Sequence, residues 1–235
     1  MKGFFVTFEG IEGTGKSTQA GRLYATLKER GYPVYFTREP GGTKIGNLVR
    51  EILMNPEHKD MCPLTEIFLF AASRAQHVEK VLRPYIEEGY VVICDRFADS
   101  TVAYQAFGRG VPVNVVREIN SAATWGIQPS ITFFLDLEPQ VALKRVSLRV
   151  QETEVVPDRL EREQLEFFHK VRDGYRSIAG DEPHRFKILD ATLDPHQLAK
   201  KILDITQREM RKAGILYRPD GQTADQWDVP SVEKS

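Results

Sequence analysis

GIEGTGKS, residues Gly10–Ser17, is a complete G-x-x-x-x-G-K-[ST] phosphate-binding loop. The flanks are what such a loop requires: Phe4-Phe5-Val6-Thr7-Phe8 ahead of it is a short β-rich run, and Gln19 to Arg30 behind it has helical composition. Between a strand and a helix, Gly10, Gly13 and Gly15 let the backbone turn several amide N–H groups inward, and the helix adds its positive end. Gly10, Ile11, Glu12, Gly13, Thr14, Gly15, Lys16, Ser17 and Thr18 are therefore the candidate nucleotide-binding residues, with ATP and Mg²⁺ as implied cofactors. Lys16 reaches the outer phosphates and the Ser17 hydroxyl ligates the metal. The loop does not say what receives the phosphoryl group.

Outward from the loop, strands and helices alternate. Strand candidates follow at Pro33–Arg38, Tyr90–Asp95, Ser130–Asp136 and Arg185–Asp190; helical patterns cover Lys44–Met54, Leu64–Glu88, Ser100–Phe107, Val113–Trp125, Pro139–Arg149, Asp158–Ile178 and Pro195–Lys212. Pro84 should kink or divide the longest of these. Five strands alternating with helices imply a parallel sheet covered on both faces, because parallel strands need crossover connections. The expected fold is α/β, a P-loop NTPase three-layer sandwich with a short lid at about residues 145–159. Residues 1–213 form the domain, and from Gly214 a polar, proline-containing tail runs to Ser235.

Composition narrows the class. The 235 residues are 41% hydrophobic, enough for one medium core, and a net charge of −1 gives no general nucleic-acid or membrane surface. Two cysteines, Cys62 and Cys94, without a C-x-x-C pair, point to a reducing compartment. No stretch approaches the roughly 20 apolar residues of a membrane span. A soluble cytoplasmic protein is expected.

Ligands of such sheets lie beyond the strands' carboxyl ends, where Glu9, Arg38 and Asp95-Arg96 fall. Val91-Val92-Ile93-Cys94-Asp95 has the form of a Walker B strand, with Asp95 placed for Mg²⁺ and Arg96 shaped for bidentate phosphate contact. Glu12 is the odd loop residue: a carboxylate in an anion cradle needs a sugar hydroxyl or an arginine such as Arg145, Arg149 or Arg159, or else faces solvent. The loop contains no arginine, so the cation for the transition state must come from elsewhere, with Arg149 ahead of Arg145. Their four-residue spacing equally suits a solvated helix face. Phe70 and Arg74, one turn apart, could stack a base and bond its carbonyl, or Phe70 could simply pack in the core. The five histidines show no convincing pairing.

FEGIEGTGKSTQ at Phe8–Gln19, TREPGGT at Thr37–Thr43, LFAASRAQH at Leu69–His77, DRFADSTVAYQ at Asp95–Gln105 and the D-R-x-E at Asp158–Glu161 together resemble the thymidylate kinase family over most of the chain. The resemblance implies that Phe70 stacks on thymine, Arg74 bonds its O4, and Arg38 and Arg96 hold the dTMP phosphate. Glu9 would lie near the sugar 3′-hydroxyl, Tyr104 would crowd the 2′ position, and Thr101 or Gln105 would complete the base contacts. Catalysis would fall to Lys16, Arg149, Arg96 and Glu12, with Ser17 and Asp95 as metal ligands, in a homodimer that binds dTMP and ATP but no nucleic acid or membrane. Two positions depart from the pattern: Ser73 stands where the family often has Asp, and the lid VQETEVVP lacks the glycine common after its arginine.

The rival readings are a kinase for another nucleoside monophosphate or for a deoxynucleoside, which would need Glu9 as a base, and a P-loop switch protein. The last lacks an N-K-x-D motif and a D-x-x-G switch.

Overall fold

Phe4–Glu9 (β1), Val34–Arg38 (β2), Val91–Asp95 (β3), Ile131–Asp136 (β4) and Phe186–Asp190 (β5) form one sheet in the order β2-β3-β1-β4-β5, with every pairing parallel. The computed structural model describes residues 3–153 and 156–215. Alternation along the strands sends side chains to both faces. Phe4, Val6, Phe8 and Ile93 join Leu23 and Leu27 of α1 (Lys16–Glu29) in one buried cluster, whereas Phe5, Val92 and Cys94 join Val78, Val81, Leu82 and Tyr85 in a second. The sheet is thus the middle of three layers.

The helices mostly follow the expected patterns. Helix α2 spans Lys44–Met54 and is capped by Thr43 Oγ1, which accepts from the Gly46 amide. The long segment is α3 (Pro63–His77), a π-helical turn at Val78–Leu82, and α4 (Arg83–Glu87). Pro84 lacks an N–H and crowds the carbonyl four residues earlier, and the wider π turn lies immediately before it. A second π-helical stretch, Val102–Gly108, continues α5 (Ala98–Thr101). Helices α6 (Val113–Thr124), α7 (Pro139–Thr153), α8 (Leu165–Asp181) and α9 (Pro195–Lys212) complete the described chain.

Two expectations change near the lid. Helix α7 runs on to Thr153 instead of stopping at Arg149, and residues 154–155 of the expected lid lie outside the described residues. The next helix begins at Leu165 rather than Asp158, because the Asp158 carboxylate accepts from the Leu160 and Glu161 amides at 2.9 Å each and closes a turn. Of the expected tail, Ile215 packs against the main core, and residues 216–235 lie outside the described residues. No helix among the described residues is long and apolar enough to cross a membrane.

One buried ion pair locks the DRFADS turn to β5. Arg185 donates to both oxygens of Asp99 at 2.7 Å and to Thr132 Oγ1, and both charged side chains are about 8% exposed. Asp99→Ala strands that guanidinium, so urea denaturation should show a loss of about 3 kcal/mol, tempered by the remaining Glu182 contact.

Candidate active site

The loop after β1 forms the floor of a cleft of about 520 Å³, lined also by Thr18, Arg38, Arg145 and Arg149. Gly13 has φ 76°, and a Cβ there would lie 2.3 Å from Ala142 O, so the loop is pressed against α7. The Lys16 Nζ donates to Ile11 O at 2.6 Å. Burial, then the nearby Arg96 charge, pushes its pKa down to about 8. The Ser17 hydroxyl donates to Asp95 Oδ2, and Asp95 Oδ1 is buried with no hydrogen-bond partner among the described residues. An unsatisfied carboxylate oxygen beside a hydroxyl fits Mg²⁺, which takes few protein ligands and keeps waters and phosphate oxygens.

Glu12 neither faces solvent nor pairs with a lid arginine. Its carboxylate accepts from Arg96 Nη2 at 2.7 Å and from the Tyr104 hydroxyl at 2.7 Å. The reason is backbone geometry: Arg96 has φ 71°, a left-handed conformation that turns its side chain back over the loop. Arg96 also donates to Gly10 O at 2.9 Å, Ser100 Oγ and Tyr175 OH. Burial alone would raise the Glu12 pKa, but Arg96 and Lys16 outweigh it and hold the carboxyl below its ordinary range.

A second, smaller cavity of about 80 Å³ adjoins the first and shares Glu12, Glu39, Arg50, Arg96 and Asp158 with it. Half-buried Phe70, with Thr101, Tyr104 and Gln105, forms its wall. Arg38 lies in the larger cleft, exposed and without a hydrogen-bonding side chain among the described residues. Arg74 does not line either cavity. Its guanidinium is buried and donates to Glu39 Oε2 at 2.8 Å, Asn120 Oδ1 at 2.6 Å, Phe97 O and Thr101 Oγ1. Any contact of Arg74 with a base would come from a guanidinium already held by Glu39, whose position in TREPGGT gave only a loop. Glu39 also accepts from His77 Nδ1 at 2.9 Å, with His77 Nε2 2.7 Å from Thr37 Oγ1, so the expectation of unpaired histidines fails here. Ser73 supports the loop rather than Arg74, its hydroxyl accepting from the Gly41 amide.

Glu9 is likewise one layer back. It accepts from the Phe97 amide, the Ser100 hydroxyl and the Tyr175 hydroxyl, at 2.6–2.9 Å. In the lid, Arg149 pairs with Glu161 at 2.5 Å, and Arg145 donates to Ala191 O at 3.2 Å. Arg159 is removed from the candidates: it is buried, donating to Leu53 O and pairing with Glu66. The sequence reading missed Arg50, which lines both cavities and donates to Pro40 O. Its place one turn before the end of α2 was the only available signal.

Comparisons with known proteins give the family. The sequence profile of thymidylate kinase matches residues 8–202. The chain belongs to the thymidylate kinase family. A thymidylate kinase of Roseiflexus castenholzii is 45% identical over 211 residues, covering 86% of this chain and 92% of its own length. That of Deinococcus radiodurans is 46% identical over 201 residues, covering 86% and 95%. The crystal structure of thymidylate kinase from Ehrlichia chaffeensis superimposes with a TM-score of 0.71 at 32% identity, over 88% of this chain and 99% of that one. As a member of the thymidylate kinase family with a five-stranded parallel sheet, the chain has the expected P-loop kinase fold.

Burial, then the Asp99 charge, pushes the Glu9 pKa up from 4.5 to about 7. Between those values the folded state keeps a proton that the unfolded chain has released, so Glu9 contributes stability fully below pH 4.5 and loses it as pH rises through 7. Glu9→Gln should flatten this part of the profile; urea midpoints at pH 5 and 7.5 that differ equally in both proteins would contradict it.

Proposed function

We propose that the chain transfers the γ-phosphoryl group of ATP to dTMP, with the larger cleft as the donor site and the smaller cavity as the site of the acceptor base. What carries this reading is the sharing of walls: the phosphate loop and the Phe70–Gln105 cavity meet at Glu12 and Arg96, so two phosphate chains can be brought end to end. Loop amides and Lys16 hold the donor phosphates, while Arg38, Arg50 and Arg96 converge on the acceptor phosphate. Ser17 and Asp95 would hold Mg²⁺, which would supply charge neutralisation to the donor phosphates. Arg149 is the cation that closes on the transferring group, with Glu161 holding it in readiness.

No general base is needed. The acceptor is a phosphate monoester with a second pKa of about 6, so its attacking oxygen is already mostly ionised at neutral pH. This favours dTMP over a nucleoside acceptor, whose neutral hydroxyl would require a carboxylate base at the reacting centre. Glu9, the sequence candidate for that base, lies under Phe97, Ser100 and Tyr175. A coupled ADP-release assay with ATP-Mg²⁺ across dTMP, dUMP, dCMP, UMP and AMP tests the reading, which requires a clear dTMP preference. Arg149→Ala should lower kcat by a factor on the order of 10³ while equilibrium binding of ATP changes little. Equal loss of both would assign Arg149 to ground-state binding.

A homodimer accounts for the surface. Ile45, Leu48 and Ile52 on α2 and Leu64 and Phe68 on α3 are 44–55% exposed, recur at helical spacing and lie on two helices packed side by side. A second copy of the chain is the occupant proposed for this stripe. The two cysteines are free thiols, in keeping with a reducing, cytoplasmic compartment. Phe68→Glu should convert a dimer to a monomer in sedimentation velocity, and a wild-type protein that sediments as a monomer would remove the proposal.

A further inference from the structure

Glu66, in the first turn of α3, is 1% exposed and belongs to neither cavity wall. Its Oε1 accepts from Gln105 Nε2 at 2.8 Å and Arg109 Nε at 3.2 Å; its Oε2 accepts from Arg109 Nη2 at 3.3 Å and faces Arg159 Nη2 at 2.5 Å. Burial alone would raise its pKa, but Arg109, the Gln105 amide and Arg159 outweigh it and keep it ionised. An ionised carboxylate only accepts hydrogen bonds.

This has a consequence for the neighbouring amide. Gln105 is itself buried and lines the smaller cavity. With Nε2 committed to Glu66, its Oε1 is the polar atom left to face a ligand, and no donor among the described residues bonds to that oxygen. The cavity therefore offers a fixed acceptor at this point. A pyrimidine ring with a protonated N3, as in thymine, presents the matching donor, whereas the unprotonated N3 of a cytosine ring would set two lone pairs against each other.

We infer that Glu66 is a positioning residue which, without touching substrate, fixes the orientation of the Gln105 amide and thereby selects pyrimidines that carry a proton on N3. The inference rests on the reading that the acceptor base occupies the smaller cavity. Replacing the carboxylate by an amide inverts the rule. Arg109 and Arg159 present only donors, so the new amide turns its oxygen toward their Nη2 groups, where Arg159 is at 2.5 Å, and its NH₂ toward Gln105, giving up the longer contact with Arg109 Nε at 3.2 Å. Gln105 then turns over, placing Oε1 on that NH₂ and its own Nε2 in the cavity, where it suits an unprotonated N3.

The test compares kcat/KM for dTMP and 5-methyl-dCMP, which differ only at the C4 substituent and the N3 proton, in wild type, Glu66→Gln, Gln105→Leu and the double variant. Glu66→Gln should lower the preference for dTMP by about tenfold or more, with KM for ATP within about twofold of wild type. Gln105→Leu should also lower it, and Glu66→Gln added to Gln105→Leu should lower it no further. Generalised damage to the fold would depress both substrates and leave their ratio unchanged. If Gln105→Leu shifts the ratio and Glu66→Gln does not, orientation by Glu66 is wrong while the placement of the base stands. If Gln105→Leu leaves the ratio at its wild-type value, the base is not against Gln105, and the inference falls with that placement. Should Glu66→Gln fail to fold, Gln105→Leu still decides this last point.

Discussion

Arg96 brings one positive charge to a point where Glu12, Tyr104, Tyr175, Ser100 and the Gly10 carbonyl all turn oxygen atoms toward it. Its partners come from the phosphate loop, from the stretch following the Asp95 turn and from α8, so a single guanidinium fixes the relative position of the phosphate-loop floor and the wall of the smaller cavity. The left-handed backbone at Arg96 makes this possible, and a residue held there must be over-determined by its surroundings. Five planar donors supply that: a lysine at the same place could neither span these acceptors nor hold the plane that lies over the Tyr104 ring. The acidic residue in the loop, which looks repulsive in a cradle for anions, is what keeps this cation in place.

Behind the cavities a second tier of charge does the positioning. Glu39 joins His77 and Arg74, and Arg74 continues to Asn120, Phe97 and Thr101, so the TREPGGT turn, α3, α6 and α5 meet at one buried ion pair. Because Arg74 is nearly inaccessible, removing Glu39 would leave an uncompensated buried cation, a far larger disturbance than the loss of a surface pair. Glu39 also forms part of both cavity walls. The same group therefore stabilises the fold and sets the edge of the site.

Much of this was legible in the sequence where chemistry follows from local order. GIEGTGKS between a strand and a helix fixes the loop, and the strand runs alternate with helices in a way only a parallel sheet satisfies. Asp95 at the end of a buried run falls beside Ser17 because Phe8 and Asp95 are register partners. What could not be read was anything decided by a single torsion or by contacts across the fold. The partner of Glu12 depends on φ at Arg96, and the depth of Arg74 depends on Glu39 reaching it from 35 residues away. Arg50 carries no motif at all. Helix α7 overran its expected end because a charged, aperiodic stretch can still be helical when its first turns are packed against the Gly13 loop.

The two cavities share charged walls, and this constrains how selectivity can arise. Six basic and five acidic side chains line the larger cleft, so its own charge is close to balanced and phosphate affinity depends on which cations are freed from acids. Arg38 has no carboxylate partner among the described residues, whereas Arg96 and Arg149 are held by Glu12 and Glu161. An anion entering beside Arg96 must compete with Glu12, and it can do so only if its geometry satisfies several donors at once; a diffuse or misplaced phosphate gains less than the carboxylate it displaces. Charge thus discriminates by geometry at the phosphate end. The smaller cavity, the proposed site of the base, is partly apolar, with Phe70, Met54 and Leu160 leaving few polar atoms to read a ring bound there. Each of those atoms must then have a fixed donor or acceptor sense, which a side-chain amide acquires only from a neighbour that cannot reverse its own. A buried carboxylate flanked by two arginines is such a neighbour.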